Sequence, residues 1–255
     1  LSQQAGVPRR EPLPDQPYGR GHNLLGTGCL AAAAALKARM EAEGLTGTVR
    51  YYGCPAEENA GGKAFLVREG YFDDCDIALY WHPFAYNQVV YGSSNANFRV
   101  FFTFHGTAAH AASAPHLGRS ALDAVELMNV GVNYMREHMI DDARIHYAII
   151  NTGGTAPNVV QSEAQVLYAI RAPKVTQVKE LFERVNDCAR GAALITGTTV
   201  DIKQVAAYSD YRANDVISER IGVHMDELLP VGYTEEEMEY AKKFQQVITD
   251  LDRNN

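Results

Sequence analysis

Nothing in the chain limits its fold as tightly as the order of patterns between residues 95 and 206. "NFRVFFTF" puts Phe98, Val100, Phe102 and Phe104 on one side of an extended segment, because successive strand side chains point to opposite faces. From Ser120 to Met139 the period becomes helical: Leu122, Val125, Met128, Val132 and Met135 recur every three or four residues. Ser120 and Asp123 have capping-box spacing, with Asp the weaker fourth residue. "RIHYAII" (144–150) and "AQVLYAIR" (164–171) return to alternation. "TQVKELFERVNDCARGAALI" is amphipathic, with Val178, Leu181, Phe182, Val185 and Cys188 on the inward side, and "TTVDIKQV" (198–205) is the last strand. The order β-α-β-β-α-β is that of a ferredoxin-like unit.

The flanks read differently. "HNLLGTGCLAAAAALKARMEAEG" predicts a helix rich in alanine and leucine, stopped by Gly44. "TVRYYG" (48–53) predicts a short strand, "AGGKAFLVREGYF" a second helix and "DIALYWH" (76–82) a second strand. Helices between short strands imply an α/β, doubly wound parallel arrangement. Two or three strands are thin for a sheet covered on both faces. Beyond 207 the pattern is helical, through "DVISERIGVHMDELL" and "TEEEMEYAKKFQQVITDL", with Thr234 and Glu237 at capping-box spacing. The expected division is 1–94 for the first part of an α/β domain, 95–206 for an inserted unit and 207–255 for a return segment. A start at Leu1 in a proline-rich stretch and an end in "TDLDRNN" are read as pieces missing at both ends, a partial domain.

A hydrophobic content of 46% with 21% charged residues is ordinary for a soluble globular protein, and a net charge of −8 counts against nucleic acid or an anionic membrane as the main partner. The longest apolar run, "CLAAAAAL" at 29–36, is too short to span a bilayer. Cys29, Cys54, Cys75 and Cys188 are widely spaced with no CxxC, which predicts a reducing, cytoplasmic compartment rather than a disulfide framework.

In doubly wound sheets ligands bind at the carboxyl ends of the strands. Glu57 and Glu58 follow the strand expected at 48–53, His82 ends the one at 76–82, and His22 starts the first helix. Two histidines and an acid pair suit zinc or manganese, a Lewis acid that polarises a carbonyl and acidifies water. A second carboxylate nearby can take that water's proton. Taken singly, an acid pair is more often solvated surface, and a strand-end histidine is more often packed or capping. The convergence carries the metal reading.

"GHNLLGTG", "PAEENAGGKAFLVREG" and "WHP" resemble the M20 metallopeptidase and amidohydrolase family, in its aminoacyl-amide branch. "FHGTAAHAASAPHLGRSALDAVELMNVGVNYMREH" and "GGTAPNVVQSEAQVLYAIRAP" look like the start and middle of its lid, or dimerisation, domain. The resemblance implies a catalytic domain interrupted by that lid, and a homodimer through it. It makes Glu57 the general base and His22, Glu58 and His82 metal ligands. It makes His110 the lid histidine that reaches the partner's active site and stabilises an oxyanion. Asn158 matches a lid residue near substrate, and Arg171 is a candidate for a substrate carboxylate or, equally, a structural ion pair. The substrate implied is an N-acyl amino acid or a p-aminobenzoyl-glutamate-like amide.

Two departures stand out. Arg20 occupies the place where the branch usually has a metal-bridging cysteine, and arginine cannot ligate. The family's last histidine ligand, from a C-terminal segment, lies beyond the end of this sequence. The rival reading is therefore a non-catalytic fragment or pseudoenzyme that retains the dimerisation module and a substrate pocket.

Overall fold

The computed structural model describes residues 22–57, 61–84 and 86–245. They fall into two units, one of residues 22–84 and 93–212 and another of 86–92 and 213–245.

The core of the first unit belongs to four strands and two helices. The strands are β1 (Ala96–His105), β2 (Arg144–Asn151), β3 (Glu163–Ala172) and β4 (Thr199–Tyr208). They form one antiparallel sheet in the order β2-β3-β1-β4. Two helices preceding β1 are α1 (His22–Glu43) and α2 (Gly62–Arg68). The helices that cover one face of the sheet are α3 (Ala121–Met135) and α4 (Val175–Thr196).

The alternation in β1 does what a half-buried strand requires. Val100, Phe102 and Phe104 are fully buried against Val125 and Met128 of α3 and Val178 and Val185 of α4. Ser120 caps α3, its hydroxyl accepting from the Asp123 amide at 3.0 Å. Gly197 ends α4 in the left-handed region, where the Thr198 amide reaches the Ala193 carbonyl at 2.9 Å.

Residues 48–53 and 76–82, expected as strands, form no ladder among the described residues. A strand is held by a neighbour's amides and carbonyls, and the described residues offer these segments none. No described side chain from 24 to 95 is buried, and Ile77 and Leu79 remain 62% and 65% exposed. The segments are instead tied to their own connections. Arg50 makes two 2.5 Å hydrogen bonds to the Asp74 carboxylate, and the Tyr52 hydroxyl donates to the Tyr71 carbonyl at 2.6 Å. The guanidinium holds the Asp74 carboxyl below its ordinary range.

In the second unit, α5 (Asp215–Leu228) begins at Asn214, whose side chain accepts from the Ile217 amide at 3.1 Å. Helix α6 (Glu235–Gln245) begins with the expected reciprocal box: Glu237 accepts from the Thr234 amide at 2.8 Å, and the Glu237 amide donates back to the Thr234 hydroxyl at 3.2 Å. Among the described residues, no helix is long and apolar enough to cross a membrane, and the four cysteines are free thiols.

Candidate active site

The acidic turn is set by backbone conformation. Ala56, just before Glu57, has φ 57°, a left-handed conformation uncommon for a residue with a Cβ. The start of α2 then comes back against the same turn. A Cβ built on Gly62 would stand 2.0 Å from the Pro55 carbonyl oxygen, so that close approach is open to glycine alone. Glu57 projects from this turn, exposed to solvent. Glu58, its expected metal-ligating neighbour, lies outside the described residues, as does Arg20.

The helix and the two extended segments that carry the other expected ligands lie side by side. The Tyr51 hydroxyl donates to the Gly26 carbonyl of α1 at 3.2 Å. The Trp81 indole rests on Gly28 so closely that a Cβ there would meet it at 2.8 Å. His22 heads α1, six residues before this contact and about 9 Å along the axis at about 1.5 Å per residue. Its side chain lies outside the described part. His82 follows Trp81 and is exposed, with Nδ1 2.9 Å from the Pro83 carbonyl. A carbonyl only accepts, so Nδ1 carries the proton and the lone pair is on Nε2, the state of an imidazole ready to ligate a metal. The donor chemistry of His82 thus fits a divalent cation. Among the described side chains alone, no three ligating groups come together.

His110 stands at the far end of the sheet. After β1, the Gly106 amide donates to Ser162 at 2.8 Å, and His110 pairs with Val159 in an isolated antiparallel bridge. The Ala111 amide donates to the Asn158 carbonyl at 2.9 Å, so the structure brings His110 and Asn158 onto one pair of loops. The amides of Ala112 and Ser113 point at Nδ1 of His110, at 3.2 and 3.3 Å. Two donors on Nδ1 place the proton of the neutral ring on Nε2, leaving an N–H donor on an exposed side chain. His105 bridges neighbouring strands, 3.1 Å from Asp201 and 3.7 Å from Glu163.

Arg171 is at the opposite end of β3, eight residues from Glu163, roughly 26 Å at about 3.3 Å per residue. It faces away from the helices and is exposed, with no hydrogen bond or ion pair among the described residues. Across the sheet it pairs with Asn97, which pairs in turn with Tyr208. The Tyr208 ring lies beside the acidic loop, 3.6 Å from a Cβ built on Gly61. Sequence reasoning did not single out Ala56, Gly62, Asn97 or Tyr208. The glycine pair after the tandem acids was the one available signal for the close turn.

Residues 93–196 match the peptidase dimerisation domain of the M20 family, and the chain belongs to that family. Over its full length it is 48% identical to a p-aminobenzoyl-glutamate hydrolase subunit of Escherichia coli (strain K12), covering 53% of that protein. It is 37% identical to the Xaa-Arg dipeptidase of Mus musculus over 76% of this chain and 45% of the relative. It is 30% identical to the indole-3-acetyl-aspartic acid hydrolase of Enterobacter agglomerans over 73% of this chain and 43% of the relative. The chain spans about half the length of the curated relatives it matches.

Proposed function

We propose that this chain is part of a metal-dependent amidohydrolase that cleaves the amide bond of an N-acyl amino acid or a p-aminobenzoyl-glutamate-like substrate. The relatives' names support the reaction class, since they describe hydrolases of acyl–amino acid amides or of dipeptides. The observation that carries the reading is the state of His110: its backbone partners leave an Nε2–H donor on an exposed loop, the form needed to steady a developing oxyanion. In this reading His22, Glu58 and His82 hold a zinc or manganese ion. Such an ion, when bound, supplies Lewis-acid polarisation of the scissile carbonyl and an acidified water. Glu57 would be the base toward the attacking water and the acid toward the leaving nitrogen. Asn158 lies beside substrate, and Arg171 accepts its carboxylate through the guanidinium fork.

The working form is a homodimer joined through the ferredoxin-like lid. The separation of His110 from Arg171 along the sheet supports this, because one lid cannot present both to one small molecule. His110 serves the partner's site, while Arg171 lies on the same side as its own acidic turn. Exposed apolar residues support it too: Val130 (52%) and Tyr134 (77%) on α3, and Ile150 (52%) on the edge strand β2. Placing charges there, as Val130→Asp with Ile150→Lys, is expected to weaken the dimer by about tenfold or more. Sedimentation across a concentration series reads the shift, and an unchanged dimer rejects this interface.

Arg20 favours one second reading, a non-catalytic member that keeps the lid and the pocket. Bound zinc and manganese per chain, measured with hydrolysis of p-aminobenzoyl-glutamate, decide between them. The amidohydrolase reading expects metal and turnover in the chain as it stands, with more metal bound by Arg20→Cys. No metal and no turnover in either form leaves only the binding role.

A further inference from the structure

One cross-strand row of the sheet has charges and hydrogen-bonding groups that the fold leaves uncommitted. At the end nearest the acidic loop, Arg144 of β2 pairs with Arg171 of β3, Arg171 with Asn97 of β1, and Asn97 with Tyr208 of β4. All four face away from the helices. Ile145 and Ile170 are buried, which turns Arg144 and Arg171 outward, and the buried Ala96 and Phe98 do the same for Asn97.

Tyr208 reaches this face because of a bulge. Ile202 pairs with the inward Phe102, so even-numbered residues of β4 begin on the core side. The register shift at Arg99/Val100 then brings Ala206 opposite Arg99 and Tyr208 opposite Asn97. One extra residue moves every later side chain to the other face.

Two features of the row call for a ligand. Arg144 and Arg171 are like charges directly opposite each other, a pairing that destabilises a sheet unless an anion lies between them. Neither has an ion pair among the described residues; Arg144 donates only to the carbonyls of Ala143, at 2.7 Å, and Asp141. The acids of this face, Glu163 and Asp201, are at the opposite end beside His105. Asn97, 1% exposed, donates through Nδ2 to the Tyr208 oxygen at 2.7 Å, while its Oδ1 is buried with no partner among the described residues. With its oxygen accepting from Asn97, the Tyr208 hydroxyl is free to donate away from the sheet.

We propose that the row Arg144–Arg171–Asn97–Tyr208 recognises a dicarboxylate, the amino-acid half of the amide when that half is acidic. Arg171 takes one carboxylate and Arg144 the second. Tyr208 adds a hydroxyl donor, and Asn97 is the positioning residue that orients it. Which molecule arrives rests on the amidohydrolase reading; the binding of two carboxylates does not.

Calorimetric titration of the full chain with glutarate and with pentanoate, equal in carbon number, tests this without any turnover. Glutarate is expected to bind about tenfold or more tightly than pentanoate. Arg144→Gln is expected to erase that preference while leaving pentanoate unchanged, Arg171→Gln to weaken both ligands, and Tyr208→Phe to weaken glutarate severalfold. Equal binding of the two acids, or a preference untouched by Arg144→Gln, overturns the proposal. A chain that prefers glutarate yet cleaves no amide keeps this site and loses the catalytic reading. A chain that cleaves the amide with an acid preference unmoved by Arg144→Gln does the reverse.

Discussion

Glu57→Gln is expected to slow amide hydrolysis by about two to four orders of magnitude, the usual contribution of a positioned general base. The melting temperature should barely move, because substitutions of exposed side chains usually change stability by only about ±0.5 kcal/mol. The amide nearly matches the carboxylate in shape but cannot take a proton. The loss should therefore fall on kcat, with KM little changed. Gly62→Ala supplies the contrast. Its new Cβ would meet the Pro55 carbonyl oxygen at 2.0 Å, so the turn carrying Glu57 must shift bodily. That variant should lose activity and melting temperature together, because the turn itself is displaced. Equal rates for Glu57→Gln and the unaltered chain would remove Glu57 from the chemistry.

The dimerisation domain was readable because its pattern is local and its core is its own. Phe102, Phe104, Val125, Val178 and Val185 sit where the two periodicities place them, and all are fully buried. The extended segments at 48–53 and 76–82 carry the same apolar signal, but a strand is a relation between two segments. The described residues supply no second member, and most of their apolar side chains, such as Tyr51, Ile77 and Leu79, stay exposed. Among the proposed site residues, His110 and Asn158 stand out in the sequence as motif positions, while the hydrogen bonds that choose the His110 tautomer do not. Arg144, Asn97 and Tyr208 left no trace in the sequence. They meet through register, and for Tyr208 through a one-residue bulge, neither of which a pattern along one strand encodes.

Truncating Tyr168 to alanine should produce the largest loss of stability in the dimerisation domain, about 3–5 kcal/mol, the range for emptying an aromatic core position. Tyr168 is fully buried on β3, edge-on to Phe102 at 5.6 Å between ring centroids and 5.4 Å from Tyr147. Its hydroxyl donates to the Asn129 Oδ1 of α3 at 2.5 Å, and Asn129 is itself 6% exposed. The conservative change separates packing from that bond. Tyr168→Phe keeps the ring and strands a buried amide oxygen, at a cost of about 1–3 kcal/mol. Adding Asn129→Leu removes the stranded group and should recover part of that loss, since deleting both partners is far cheaper than deleting one. Burial also raises the Tyr168 pKa above its ordinary 10.0. A raised folded-state value means the stabilisation is complete below about pH 10 and is lost as pH climbs toward the folded value. Urea titrations of the three variants and the unaltered chain, at neutral pH and above pH 10, read both effects. The buried bond predicts that the gap between the unaltered chain and Tyr168→Phe narrows in alkali. A gap that stays constant would mean the hydroxyl contributes nothing that ionisation can remove.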